Sequence, residues 1–194
     1  MKATRPYVMR ARADSAEETR RHVLAAAVDE LWRRRVSEVR LEDVAVRAGV
    51  TTQTVLRLFG RRSVLLAAGL AAMRDRILAQ RGSADVGDVQ GTIAALFDHY
   101  EDIGDVVIRN LADEAAHPEL RVWLERGRAL HRQSMERQFA AHLTGRPDRE
   151  LLVDCLVVAC DVYAWKLLRR DASRSRSEAE ACVTRLVNAI LASA

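Results

Sequence analysis

Apolar positions recur at helical spacing along almost the whole chain. Ser15 followed by Glu18 is a capping-box pattern, and Val23, Leu24, Ala27, Val28 and Leu31 then share one face, so a first helix is predicted from Ser15 to about Arg34. Trp32 and Val36 close a small core near its end. Leu41, Val44, Ala45 and Ala48 predict a second, short helix that stops at Gly49, a residue free to take the left-handed conformation. Thr51 is a good N-cap for a third helix with Val55, Leu58 and Phe59 on its buried side. Two short helices joined by a tight glycine turn have the form of a helix-turn-helix, although a helical corner in any all-α protein has the same pattern.

The apolar pattern continues over 64–81 through Leu65, Leu66, Leu70, Met73, Ile77 and Leu78, predicting a fourth helix. The stretch 82–87 (GSADVG) reads as a loop and the best internal boundary. A fifth helix is predicted over 89–103, broken by Gly104, and a sixth over 106–116, ended by His117-Pro118. A long seventh spans 118–143, an eighth 148–170, and a ninth begins at Ser177, where Ser177 and Glu180 form another capping-box pattern. The eighth is apolar nearly all round, more than one partner helix covers, so a second copy of the chain is expected against it. Leu152, Cys155, Leu156, Ala159 and Tyr163 of the eighth helix, with Leu186 and Ile190 of the ninth, are the expected interface of a four-helix bundle.

Composition agrees with an all-α fold of about nine helices. Nine Gly and three Pro among 194 residues leave too little punctuation for sheets, and 49% hydrophobic residues supply a core. The expected organisation is a basic arm (1–14), a helix-turn-helix domain (15–62), a connecting helix (63–81) and a helical body (82–194). The start of the chain has no apolar h-region, and the most apolar run, 151–168, is interrupted by Asp154 and Asp161. A signal peptide and a membrane span are therefore not expected, and the chain reads as cytoplasmic. Cys155, Cys160 and Cys182 contain no CxxC spacing, so they read as reduced thiols packed as small hydrophobes. A redox role for one of them requires exposure.

Charge is unevenly spread. Residues 1–62 hold 14 Lys or Arg against 8 Asp or Glu, whereas the remainder holds 17 against 19. A basic first third suits a polyanion. Lys2, Arg5, Arg10 and Arg12 form an arm that either tracks phosphates or is a solvated tail. The Arg33–Arg35 cluster reads better as solvated cations at a helix end. Thr51, Thr52, Gln53, Thr54 and Arg57 lie toward the outside of the third helix, and Gln, Arg and Thr can read base edges. Arg61 and Arg62 at the start of the fourth helix oppose its dipole, which points to phosphate contact. No Walker loop, GxSxG, HExxH or dinucleotide fingerprint occurs, so neither an enzyme nor a cofactor is expected. Asp113, Glu114 and His117, or His99 with Asp102, lack the further ligand that a metal site needs.

Residues from Glu17 to about Leu70 resemble the DNA-binding domain of the TetR family of bacterial transcriptional regulators. Thr19-Arg20, VLAAAVDELW and LEDVAVRAGVTTQTVLRLFGRRSVLLAA carry the likeness. The resemblance implies DNA contact by Arg20, Arg40, Thr51, Thr52, Gln53, Thr54, Arg57, Arg61 and Arg62. It also implies dimerisation through the last two helices and a small-molecule pocket between the fifth to eighth helices. Phe97, Tyr100, Arg109, Trp123, His131, Met135 and Trp165 are candidates for the pocket wall, though each reads more readily as core. The chain departs from the family at Arg35-Val36, where Gly and an aromatic are usual, and at Arg40, where Ser or Thr is usual. It departs again at Leu56 and Leu58, where aromatic or His side chains usually touch phosphates. Arginines at 40, 57, 61 and 62 are expected to make up those contacts. The expected function is a homodimeric, effector-released repressor on double-stranded operator DNA. The alternative is a helical dimer that mainly binds a small molecule or protein, with weak DNA binding.

Overall fold

The computed structural model describes residues 5–81, 84–116 and 118–193. Lys2, Gly82 and His117 fall outside the described residues, as do the side chains of Arg5, Arg10 and Arg12. The described chain is all-α and forms two compact units, Met1–Arg74 and Asp75–Ala194.

In the first unit α1 runs Arg5–Arg33. Ser15 therefore lies inside a helix instead of capping one, and its carbonyl accepts a bond from the Thr19 hydroxyl at 2.8 Å. Residues 5–14 are rich in Ala, Arg and Met, good helix formers that let the helix begin upstream of the expected cap. A 3-10 turn, Val36–Glu38, leads to α2 (Leu41–Arg47), whose first turn carries Glu42 and Asp43 at the positive end of the dipole. The turn after α2 is a Schellman motif. Gly49 sits at φ +67°, its N–H donates to Val46 O (3.2 Å), and the Val50 N–H donates to Ala45 O (3.0 Å). These bonds satisfy carbonyls the helix end would otherwise orphan. The recognition-like helix α3 (Thr52–Phe59) is capped by Thr51, whose hydroxyl accepts from the Thr54 N–H at 3.1 Å. Helix α4 spans Arg62–Arg81. Val23, Ala27, Leu31, Val36, Val44, Val55, Phe59 and Leu65 form the unit's core.

In the second unit α5 is a single helix, Val89–Asp113, so Gly104 does not break it. The glycine has a packing reason instead. A Cβ at this position would lie 2.6–3.0 Å from ring atoms of Trp165, so only a bare backbone lets that ring come so close to the helix. The expected seventh helix is interrupted at Phe139, giving α6 (Pro118–Gln138) and α7 (Ala140–Leu143). The eighth also divides, into α8 (Arg149–Ala159) and α9 (Val162–Lys166), followed by a π turn over Leu167–Asp171. One exposed and one buried hydrogen bond stabilise that division. Asp161 caps α9 by accepting from the Tyr163 N–H, and the Tyr100 hydroxyl donates to Cys160 O, both at 2.9 Å. Helix α10 (Arg176–Ala192) is capped by Ser175 with Glu178, two residues ahead of the predicted capping box. Ile93, Leu96, Phe97, Tyr100, Met135, Phe139, Leu156, Trp165, Val183 and Val187 lie in this unit's core. No helix among the described residues is long and apolar enough to cross a membrane.

Candidate nucleic-acid interface

Burial of Val55 and Phe59 fixes the roll of α3 and turns the opposite side outward. Gln53, Leu56 and Arg57 are exposed there, with Thr52 half-buried beside them. Thr51 and Thr54 are less available. Their hydroxyls lie 3.0 Å apart, and Thr51 also holds the Thr54 N–H.

The arginines expected to meet DNA fall into two groups. Arg20 donates from Nη1 to Leu58 O at 2.7 Å, and its guanidinium lies 4.3 Å from the centre of the Phe59 ring. It thus anchors the C-terminal end of α3 to α1. Arg62 donates from Nε to Val39 O at 2.8 Å and from Nη2 to Val36 O at 2.6 Å, with Ser37 O at 3.4 Å. Its position against the α4 dipole has a structural explanation, because it satisfies carbonyls of the 3-10 turn. Arg34 and Arg47 are also engaged, both pairing with the buried carboxylate of Glu30, at 3.2 and 2.6 Å. By contrast, the guanidinium groups of Arg40, Arg57 and Arg61 make no hydrogen bond or ion pair among the described residues. All three are exposed. Unpaired cations in the same unit as an outward row of hydrogen-bonding side chains are the chemistry that phosphate and base-edge contact requires.

The expected pocket wall is mostly core. Phe97, Tyr100, Met135 and Trp165 are buried in the second unit, His131 is buried with its Nε2 3.1 Å from Val157 O, and Arg109 and Trp123 are half-buried. A cleft of about 270 Å³ instead opens between Ile77, Leu78, Leu130, Gln133, Ser134 and Arg137. None of these six was a sequence candidate. Ile77, Leu78 and Leu130 stand at apolar helical spacing, which marks them as packing residues, and only the junction of α4 and α6 leaves a gap there. Trp165 is held by its own network. Its indole N–H donates to Glu101 at 3.1 Å, Arg169 pairs with the same carboxylate, and Arg170 lies 4.4 Å over the ring while bonding Asp105. Burial alone would raise the Glu101 pKa, but hydrogen bonds from Arg169 and Trp165 and the charges of Arg169 and Arg170 outweigh it. The carboxyl is held below its usual range.

The expected dimer face is partly inverted. Leu152, Leu156 and Ala159 are buried within the protomer, where α8 packs on α6 and α10. Tyr163 and Leu186 of the expected set are exposed, as are Leu151, Val158 and Leu167, and Cys155 and Ile190 are half-buried. Leu152, Leu156 and Ala159 all precede the α8–α9 break, so it is the packing of α8 on α6 and α10 that takes them from the outside. Of the cysteines, Cys160 is buried, Cys155 half-buried and Cys182 exposed. In the acidic grouping at the end of α5, Glu114 is taken up by two bonds from Arg128, at 2.7 and 3.2 Å.

No protein-family model matches the sequence, and no curated protein matches it at a significant level. Solved structures do match. A transcriptional regulator from Rhodococcus sp. Rha1 superposes with TM-score 0.68 at 19% identity, over 89% of this chain and 95% of that one. A protein assigned to the TetR family of transcriptional regulators, from Rhodococcus sp., gives 0.67 at 20% identity, over 90% and 100%. A protein assigned as a transcriptional regulator in Pseudomonas aeruginosa PAO1 gives 0.66 at 14% identity, over 91% and 92%. With its two compact units, its Schellman turn before a Thr-capped third helix and this similarity, the chain has the all-α fold of TetR-type transcriptional regulators.

Proposed function

We propose that this protein is a homodimeric transcriptional repressor that binds operator DNA through α3 and leaves it when a small molecule occupies the second unit. The observation that carries the reading is the sorting of the arginines. Arg20, Arg34, Arg47 and Arg62 are engaged within the first unit, whereas Arg40, Arg57 and Arg61 are unpaired in the unit that presents Gln53 and Thr52 outward. Dimerisation is supported by the exposed apolar side chains of α8 to α10, among them Leu151 and Val158, which are costly to leave in water. A two-fold dimer would present its recognition helices to successive major grooves of a pseudo-palindromic site. The cleft at Leu130 and Ser134 has the apolar lining with a few polar groups that suits a small effector. An effector that prefers the DNA-incompetent dimer must weaken DNA binding by the same factor as DNA weakens its own binding.

The test is selection from a random-sequence duplex pool, followed by fluorescence anisotropy on the recovered duplex across a salt series. Sequence-selective binding with a steep salt dependence is expected. No recovered sequence at moderate salt would sink the reading and favour a helical dimer devoted to a small molecule or protein partner.

A further inference from the structure

The outer side of α3 carries two rows at one-turn spacing. Gln53 and Arg57 form a polar row, and Thr52 and Leu56 run alongside it. Leu56 is 40% exposed, while the same helix buries Val55 and Phe59. A single exposed leucine is ordinary on a protein surface. The setting of this one is not. It is flanked by Gln53 and Arg57, and the unpaired cations of Arg40, Arg57 and Arg61 belong to the same unit. A surface so charged is complementary to a polyanion. Within a DNA major groove the one apolar group on the base edges is the C5-methyl of thymine.

We propose that Leu56, with the methyl of Thr52 beside it, is a specificity residue that packs on a thymine methyl of the operator next to the base read by Gln53. The proposal rests on the DNA-binding reading above and adds a chemical preference to it. Gln53 can pair with adenine N6 and N7, so the two rows together select an A·T-containing step. Leu56 contributes there through burial and shape, and Arg57 through charge.

Deoxyuridine differs from thymidine only by the lost methyl, so it tests the contact without changing the protein. The recovered duplex is remade with uracil at each thymine in turn, and affinity is measured for the unsubstituted protein and for Leu56→Ala. One thymine in each half-site is expected to lose about fourfold in affinity on loss of its methyl. Leu56→Ala is expected to bind the unmodified duplex more weakly and to be indifferent to uracil at that position. Arg57→Ala should keep the uracil penalty. Uniform indifference of the unsubstituted protein to every uracil, with tight selective binding retained, overturns the proposal and leaves the DNA-binding reading standing. A uracil penalty that persists in Leu56→Ala also overturns it. Failure to recover any selected duplex overturns the DNA-binding reading, and this proposal with it.

Discussion

The two units use arginine differently. In the second unit Arg128, Arg132, Arg146, Arg169, Arg170 and Arg176 each face a carboxylate, so their charge is balanced locally. In the first unit Arg20 and Arg62 donate to backbone carbonyls, which hold no net charge, and Arg40, Arg57 and Arg61 have no protein partner among the described residues. These residues add to the surplus of positive charge over residues 1–62. The difference teaches that an arginine count does not locate a phosphate surface. What locates it is an unbalanced subset in the unit that carries the helix-turn-helix, because Arg126, Arg137 and Arg185 of the second unit also lack a partner among the described residues but stand on no such motif.

The largest effect that would break this comparison lies in the second unit. Trp165→Ala removes a ring 1% exposed that fills the space above Gly104, and it should cost about 3–5 kcal/mol in urea denaturation followed by circular dichroism. A loss under about 1 kcal/mol would mean the ring is not the keystone of that core. In the first unit Arg62→Ala should cost about 2 kcal/mol, because it leaves carbonyls of the 3-10 turn without their charged donor. Once folding is allowed for, the salt slope of DNA binding should be unchanged. A slope reduced by about one would restore a phosphate role to Arg62.

Arg57→Ala and Arg61→Ala should behave in the opposite way. Each should leave stability within about 0.5 kcal/mol and reduce the salt slope by about one, as read from anisotropy titrations. If both variants instead lower the melting temperature and spare the slope, the division of arginines into engaged and unpaired is wrong. The smallest effect concerns acid. Glu101 is held below its usual pKa in the folded state, so its contribution is present above the unfolded carboxylate range and is lost as pH falls through the depressed value. Glu101→Gln should therefore flatten the acid limb of the stability profile of the second unit. An unaltered limb would show that the Arg169 and Arg170 pairs contribute nothing measurable.

Much of the first unit was legible because its determinants are local. The Gly49 turn needs one residue that tolerates positive φ, and the Thr51 cap needs one hydroxyl three residues before an orphan N–H. The start of α1 was misread for the same local reason: Ser15 and Glu18 make a valid cap pattern, but helix formers upstream outweigh it. In the candidate site, spacing alone identified Gln53 and Arg57 as outward. It offered no way to separate Arg62 from Arg61, since the carbonyls that engage Arg62 lie more than twenty residues back along the chain.

The sequence by itself determined the all-α class, the helix-turn-helix with its cap and turn, and the basic character of the first third. Periodicity, capping and net charge are properties of neighbours along the chain. Only the tertiary structure decided which arginines are unpaired, why Gly104 leaves α5 unbroken, and which side of α8 remains in water. Each of those depends on a partner brought near by folding: the Leu58 and Val36 carbonyls, the Trp165 ring, and the helices α6 and α10 against α8. Helical spacing says that a side chain has a face, and packing alone says what that face meets.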